Sequence, residues 1–290
     1  MNRFYVIANR EKDENLETTR QIYEYLLANG KECTVREYQG KAQAEGTGPG
    51  RYTDADWIPE GTECILVLGG DGTLIQAARD TVNRHIPLLG VNLGTLGYLA
   101  EIEKSGVQEA LNHLMLDQYT IEPRMMLEGT VYREKGEPIR EIALNDIVIN
   151  RKGALRILDY EIRVNGEPLN CYSADGVIVS TPTGSTGYSL SAGGPIVSPK
   201  ASMIVVTPIC PHTLTARSIV LSGEDEVTLR LGSRRRDERE EAFVAFDGEV
   251  SVPIMTGDYV EIRKSSRTTE ILKISKISFL EVLRNKMRGN

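Results

Sequence analysis

One acid stands among glycines where a phosphate cradle would form. Gly69-Gly70-Asp71-Gly72-Thr73 follows the apolar run Cys64-Ile65-Leu66-Val67-Leu68 and precedes a helix-like stretch, 74–82. Glycines let the backbone approach a ligand and supply N–H groups without a clashing Cβ. The start of a helix adds unpaired donors and positive dipole. A carboxylate in such a cradle repels phosphate unless it acts on a hydroxyl or a metal beside it, and Asp71 is read in that role. Gly-Asp-Gly is also an ordinary turn, so this stretch alone leaves the acceptor open among sugars, lipids and nucleotides.

Three further stretches carry polar groups in unusual settings. Asn92-Leu93-Gly94-Thr95-Leu96-Gly97-Tyr98-Leu99 places two glycines after a strand, as a second close backbone approach or a plain loop would. In Leu144-Asn145-Asp146-Ile147-Val148-Ile149 two polar residues interrupt an apolar run. A regular strand would bury one of them, and a buried polar side chain needs a partner. An Asn-Asp pair suits ribose hydroxyls or an adenine edge; a β-bulge or strand end is the equal alternative. The run 173–195 is dominated by Ser, Thr and Gly after Val177-Ile178-Val179. It can supply many donors to one polyanion, and Tyr188, Leu190 and Ile196 make it unlike a linker. No Walker-type G-x-x-x-x-G-K-[ST] occurs, no G-x-G-x-x-G follows the first strand, and no G-x-S-x-G sits in an acyl-transfer setting. His85, His113 and His212 show no metal-ligand spacing, so no protein metal site is expected.

The elements that must position these residues fall into two sets. Strands at 4–8, 32–37, 64–68 and 87–92 alternate with helical periodicity at 16–27, 74–82 and 107–116. That pattern reads as an α/β N-terminal domain with a parallel, Rossmann-like sheet, residues 1–122. From 123 to 270 β-branched runs that read as strands, among them 139–150 and 259–262, follow one another without helices, and Asn165-Gly166 is a hairpin signal. This reads as an all-β, antiparallel C-terminal domain. A short helix at 279–287 is expected to carry the segment 271–290 back to the first domain. The 290 residues hold 40% hydrophobic side chains and a formal net charge of −7, which argues against nucleic acid or an anionic membrane as partner. The charge run 233–241 nearly cancels itself and reads as a solvated hairpin loop. Cys33, Cys64, Cys171 and Cys210 lack C-x-x-C spacing and read as buried free thiols of a cytoplasmic protein. No apolar stretch approaches a membrane span and the N-terminus is no signal peptide.

Taken together, 69–73, 92–102, Asn145-Asp146, 173–195 and 207–214 resemble NAD kinase. The GGDGT stretch is shared with diacylglycerol and sphingosine kinases and, in variant form, with phosphofructokinases, whereas the 173–195 run is similar to NAD kinase and not to those relatives. The resemblance implies transfer of the terminal phosphoryl group of ATP to the 2′-hydroxyl of the adenosine ribose of NAD, with Mg²⁺ or another divalent cation. It implies that Asp71 is the general base, with Gly70, Gly72 and Thr73 around the phosphates in a donor domain. In an NAD-binding β domain, Asn145 and Asp146 would hold ribose and adenine, and Asp175 the nicotinamide end. Thr186, Tyr188 and Ser189 would line the adenine pocket, with Thr183, Gly187, Leu190 and Ser191 from the same run. Arg156, Cys210 and Glu249 align as further contacts. The family usually has Asn-Glu where this chain has Asn145-Asp146, and often Ala at Gly187. A homodimer or homotetramer is implied. Two rivals differ in class: a lipid kinase on the same cradle, which the polar 173–195 run opposes, and a dinucleotide-binding regulator, which gains nothing from Asp71.

Overall fold

The computed structural model describes residues 1–35, 54–94, 97–100, 102–153, 157–232, 239–275 and 277–288. The chain forms two compact units, Met1–Pro123 with Thr269–Asn290, and Arg124–Thr268.

In the first unit, strands β1 (Arg3–Ala8), β2 (Glu32–Val35), β3 (Cys64–Gly69), β4 (Leu88–Asn92) and β5 (Ile102–Glu103) alternate with helices α1 (Glu17–Ala28), α2 (Asp71–Thr81) and α3 (Val107–Met115). The sheet runs β2-β1-β3-β4 with every pair parallel, and β5 adds to β4. β3 and β4 are buried along their whole length, as strands covered on both faces must be. Ile22 and Leu26 of α1 and Ala110, Leu111 and Leu114 of α3 pack on Phe4, Val6, Leu66 and Leu89. Their i, i+4 and i, i+3 spacing is what puts them on one helical stripe.

The second unit is antiparallel β structure, as its alternating β-branched runs dictate. Its strands are β6 (Thr120–Tyr132, begun in the first unit), β7 (Ile139–Ala143), β8 (Asp146–Arg151), β9 (Leu158–Val164), β10 (Glu167–Ala174) and β11 (Gly176–Ser180). After the one-turn helix α4 (Tyr188–Ser191) come β12 (Met203–Ile209), β13 (Ile219–Ser222), β14 (Val227–Leu231), β15 (Glu241–Phe246), β16 (Val250–Met255) and β17 (Tyr259–Lys273). One sheet has the order β13-β12-β11-β8-β15-β16. Its inward side chains Ile147, Ile149, Val177, Val179 and Phe246 share a core with Tyr160, Ile162, Leu229 and Val260 of β9, β14 and β17. Val148, Ile178 and Ile209 form a small apolar floor on its other face, with Ala192 packed on it. Asn165 and Gly166 both have positive φ, 51° and 82°, as a type I′ hairpin between β9 and β10 requires. The last residues of β17 and helix α5 (Phe279–Met287), capped by Ser278, belong to the first unit.

Three expectations from the sequence change here: of the four cysteines, read as buried, Cys171 and Cys210 are exposed. The single strand read over 139–150 is two strands, β7 and β8, parted at Leu144-Asn145. The strand read at 259–262 continues to Lys273. The charges at 233–238 lie outside the described residues.

Candidate functional site

The cradle is built where β3 hands the chain to α2. Gly70 is the extended N-cap residue and brings no side-chain cap, so the first-turn amides of α2 keep donors for a ligand. A Cβ on Gly69 would overlap the Thr73 side chain, whereas one on Gly72 would meet open space. Thr73 is buried and its Oγ1 accepts from Asn9 Nδ2 at 3.2 Å. Its hydroxyl therefore braces the cradle from β1.

Asp71 points back across the cradle rather than out of it. Its Oδ2 accepts the Tyr98 amide at 2.7 Å, and its Oδ1 accepts the amides of Leu99 at 3.1 Å and Ala100 at 3.2 Å. A carboxylate has about four lone-pair sites, so three amides leave one, on Oδ2. Gly97 makes this possible, because a Cβ there would overlap the Asp71 carboxylate. The second glycine-bearing stretch is thus a close backbone approach at Gly97. At Gly94 a Cβ would meet nothing. Among the described residues no group of three or more His, Cys, Asp or Glu could hold a metal ion.

The second unit gathers a separate polar set about β8 and β11. The strand break at Leu144-Asn145 is held by Asp247, whose carboxylate accepts the amides of Leu144 (2.8 Å), Asn145 (2.7 Å) and Asp146 (3.1 Å). Asn145 gives its carbonyl to the Thr181 amide at 2.8 Å. A Cβ on Gly184 would overlap the Asn145 backbone, so that glycine seats the run beyond β11 against the pair. Asn145 Oδ1 is buried with no hydrogen-bond partner among the described residues. Asp146 is 6% exposed, and burial, with the charge of Asp247, pushes its carboxyl up to about 7. An unpaired acceptor beside a buried carboxyl is a place that lacks donors, which ribose hydroxyls or an amine would supply.

Asp175 stands at the other end of β11. Its Oδ1 takes Arg151 Nε at 2.9 Å, and its carbonyl takes the Tyr160 hydroxyl at 3.0 Å. Ser180 pairs with Asp146, and the Arg151 amide donates to Asp175 O at 3.1 Å. The two acids are therefore five residues of β8 apart, about 17 Å at ~3.4 Å per residue. Tyr188 is exposed and near enough to both for their charges to act on it. Burial raises its phenol, and the charges of Cys210, Asp146 and Asp175 raise it further. Cys210 follows β12 with φ of 45°, and Glu249 is half-buried in the turn before β16.

The hydroxyl-rich run spends much of itself on its own fold. Thr181 Oγ1 donates to Leu144 O at 2.7 Å, Ser185 Oγ to Pro182 O at 2.7 Å, and Ser189 Oγ pairs with Thr207 Oγ1 at 3.1 Å. Thr186 donates to Thr183 O at 3.2 Å, and Thr183 is buried. Tyr188, Leu190 and Ser191 are exposed, and Thr186 and Gly187 are half-buried. Arg156 lies outside the described residues. Sequence reasoning missed Asp247, Arg151 and Asn9. The first reads as a plain Asp-Gly turn, and all three act across distances in sequence that spacing does not carry.

A braced anion cradle with one fixed carboxylate, and a buried Asn-Asp pair with an unmet acceptor beside an apolar floor, fit a phosphoryl-transfer protein with a polar acceptor. The comparisons agree. Residues 4–119 match the ATP-NAD kinase N-terminal domain and residues 144–274 the ATP-NAD kinase C-terminal domain. An NAD kinase from Lachnospira eligens is 49% identical, covering 99% of this chain and 100% of that protein. Yeast NADH kinase, solved with NADH, has the same fold with a TM-score of 0.85 at 24% identity, covering 100% of this chain and 88% of that one. An NAD kinase from Archaeoglobus fulgidus, solved with ATP, has a TM-score of 0.77 at 24% identity, covering 99% of each. The chain belongs to the NAD kinase family.

Proposed function

We propose that this chain transfers the γ-phosphoryl group of ATP to the 2′-hydroxyl of the adenosine ribose of NAD. The observation that carries the reading is Asp71, a carboxylate fixed by three amides at the rim of an anion cradle with one acceptor site left on Oδ2. A ribose hydroxyl is a weak nucleophile at neutral pH, and a positioned carboxylate contributes about 10²–10⁴-fold. The 2′-oxygen bonds to the γ-phosphorus as the bond to the β,γ-bridging oxygen breaks, and the hydroxyl proton passes to Asp71 Oδ2. The amides of Gly70, Gly72 and Thr73 meet developing phosphate charge, and much of the remaining rate comes from orientation.

Asn145 Oδ1 and Asp146 accept from the adenosine, Asp175 holds the nicotinamide end, and Tyr188 covers the floor, flanked by Thr183, Thr186, Gly187, Ser189, Leu190 and Ser191. The spacing of Asp146 and Asp175 along β8 and β11 suits a ligand of two nucleotides. Arg156, Cys210 and Glu249 are proposed as further contacts. The residues present fit a divalent cation that arrives on the phosphates, since the cradle offers amides and a single carboxylate. When bound, Mg²⁺ or another divalent cation neutralises phosphate charge. We also propose a homodimer or homotetramer in the cytoplasm. The free thiols support a reducing compartment, and burial raises Cys33 to about 12, which leaves it inert.

The test is Asp71→Asn. NADP formation should fall about 10²–10⁴-fold, while NAD affinity by calorimetry stays within a small factor of the wild type. Full turnover in the variant would refute the base role.

A further inference from the structure

Lys12 stands over the phosphate cradle without a partner among the described residues. Its Nζ lies 2.8 Å from where a Cβ of Gly70 would be, so the ammonium sits directly over the N-cap of α2. The side chain is exposed, and no hydrogen bond or ion pair holds the ammonium among the described residues. That is notable in a chain with seven more acids than bases, 41 against 34.

The backbone that carries Lys12 is fixed at both ends. Asn9 donates its amide to Leu68 O at 2.9 Å and its Nδ2 to Thr73 Oγ1 at 3.2 Å, so β1 is pinned to the two residues flanking the cradle turn. The amides of Lys12 and Asp13 return to Asn9 O at 3.1 and 2.9 Å. Asp13 is buried and accepts the amides of Thr18 and Thr19 at 2.9 and 3.0 Å, which ties the turn to α1. A tight turn between two anchors delivers one flexible cation to the mouth of the α2 amides. Elsewhere cradles of this kind add a lysine as a point charge on the terminal phosphates.

We propose that Lys12 is a phosphate-contacting residue of the donor site, binding the polyphosphate of ATP beside Gly70. The inference rests on the function proposed above. It accounts for an unpaired ammonium held over an anion cradle whose other donors are uncharged amides.

The test is steady-state NADP formation by the full chain as wild type, Lys12→Ala and Lys12→Arg, with ATP and NAD varied in turn. A hydrogen bond to a charged group corresponds to a factor of about 10–100, so Lys12→Ala should raise the KM for ATP by that factor and leave the KM for NAD within about twofold. Lys12→Arg should recover most of the loss, because a cation is retained. An ATP KM in Lys12→Ala within twofold of the wild type overturns the inference, as does an equal rise in both KM values. Wild type that forms no NADP would instead sink the proposed function. The thermal midpoint of Lys12→Ala, expected to be unchanged, separates lost contact from lost fold.

Discussion

Asp71 shows how a base can be aimed by the backbone around it. Three amides fix its direction and leave one acceptor site, on Oδ2. The arrangement depends on Gly97, where a side chain would occupy the carboxylate's place. Gly97→Ala must therefore rotate Asp71 off the amides of Tyr98, Leu99 and Ala100. We expect NADP formation to drop at least as far as about 10²-fold, with NAD binding retained, measured by turnover and by calorimetry on the same preparation. Turnover near the wild-type rate would mean that Asp71 works from another orientation.

At the scale of elements, the lesson lies in the break before β8. The sequence reads as one apolar run with two polar intruders, and local pattern allows a bulge, a strand end or a site. What parts the strand is Asp247, some hundred residues further on, which takes the amides of Leu144, Asn145 and Asp146 from any ladder. The cradle, the Asn165-Gly166 hairpin and the two-part architecture were legible, because each rests on contiguous spacing. The Asp247 clasp, the Arg151–Asp175 pair and the Asn9 brace were not, because each joins residues whose proximity only the fold creates. The interior use of Thr181, Ser185 and Ser189 was hidden for the same reason. Asp247→Ala leaves three amides without their acceptor, at about 1–3 kcal/mol for each that stays buried. The variant should show a lower thermal midpoint and a KM for NAD raised about tenfold or more, with the KM for ATP little changed. Equal effects on both substrates would mean that the clasp serves general stability rather than the NAD pair.

For the whole molecule, the buried Asp146 carboxyl ties stability to pH in a direction opposite to that of paired surface acids. Its folded value stands near 7, against an ordinary value of 3.8, through burial first and the neighbouring Asp247 second. The folded chain thus binds this proton more tightly than the unfolded chain. Below about pH 4 both forms carry it and the group makes no difference. As pH rises from there to 7, the unfolded state releases the proton first, and stability falls. Above 7 both states are ionised and the loss is complete, on the order of 1–4 kcal/mol. Asp146→Asn removes the dependence. Urea midpoints of ligand-free protein should therefore show the variant gaining on the wild type between pH 5 and pH 8. NAD should reverse the trend, since ribose hydroxyls donate better to the ionised form. Its affinity for the wild type should rise through pH 7 with proton release, read by calorimetry in buffers of different ionisation enthalpy, and stay flat in the variant. A stability gap that does not change with pH would show that the folded chain keeps Asp146 ionised throughout.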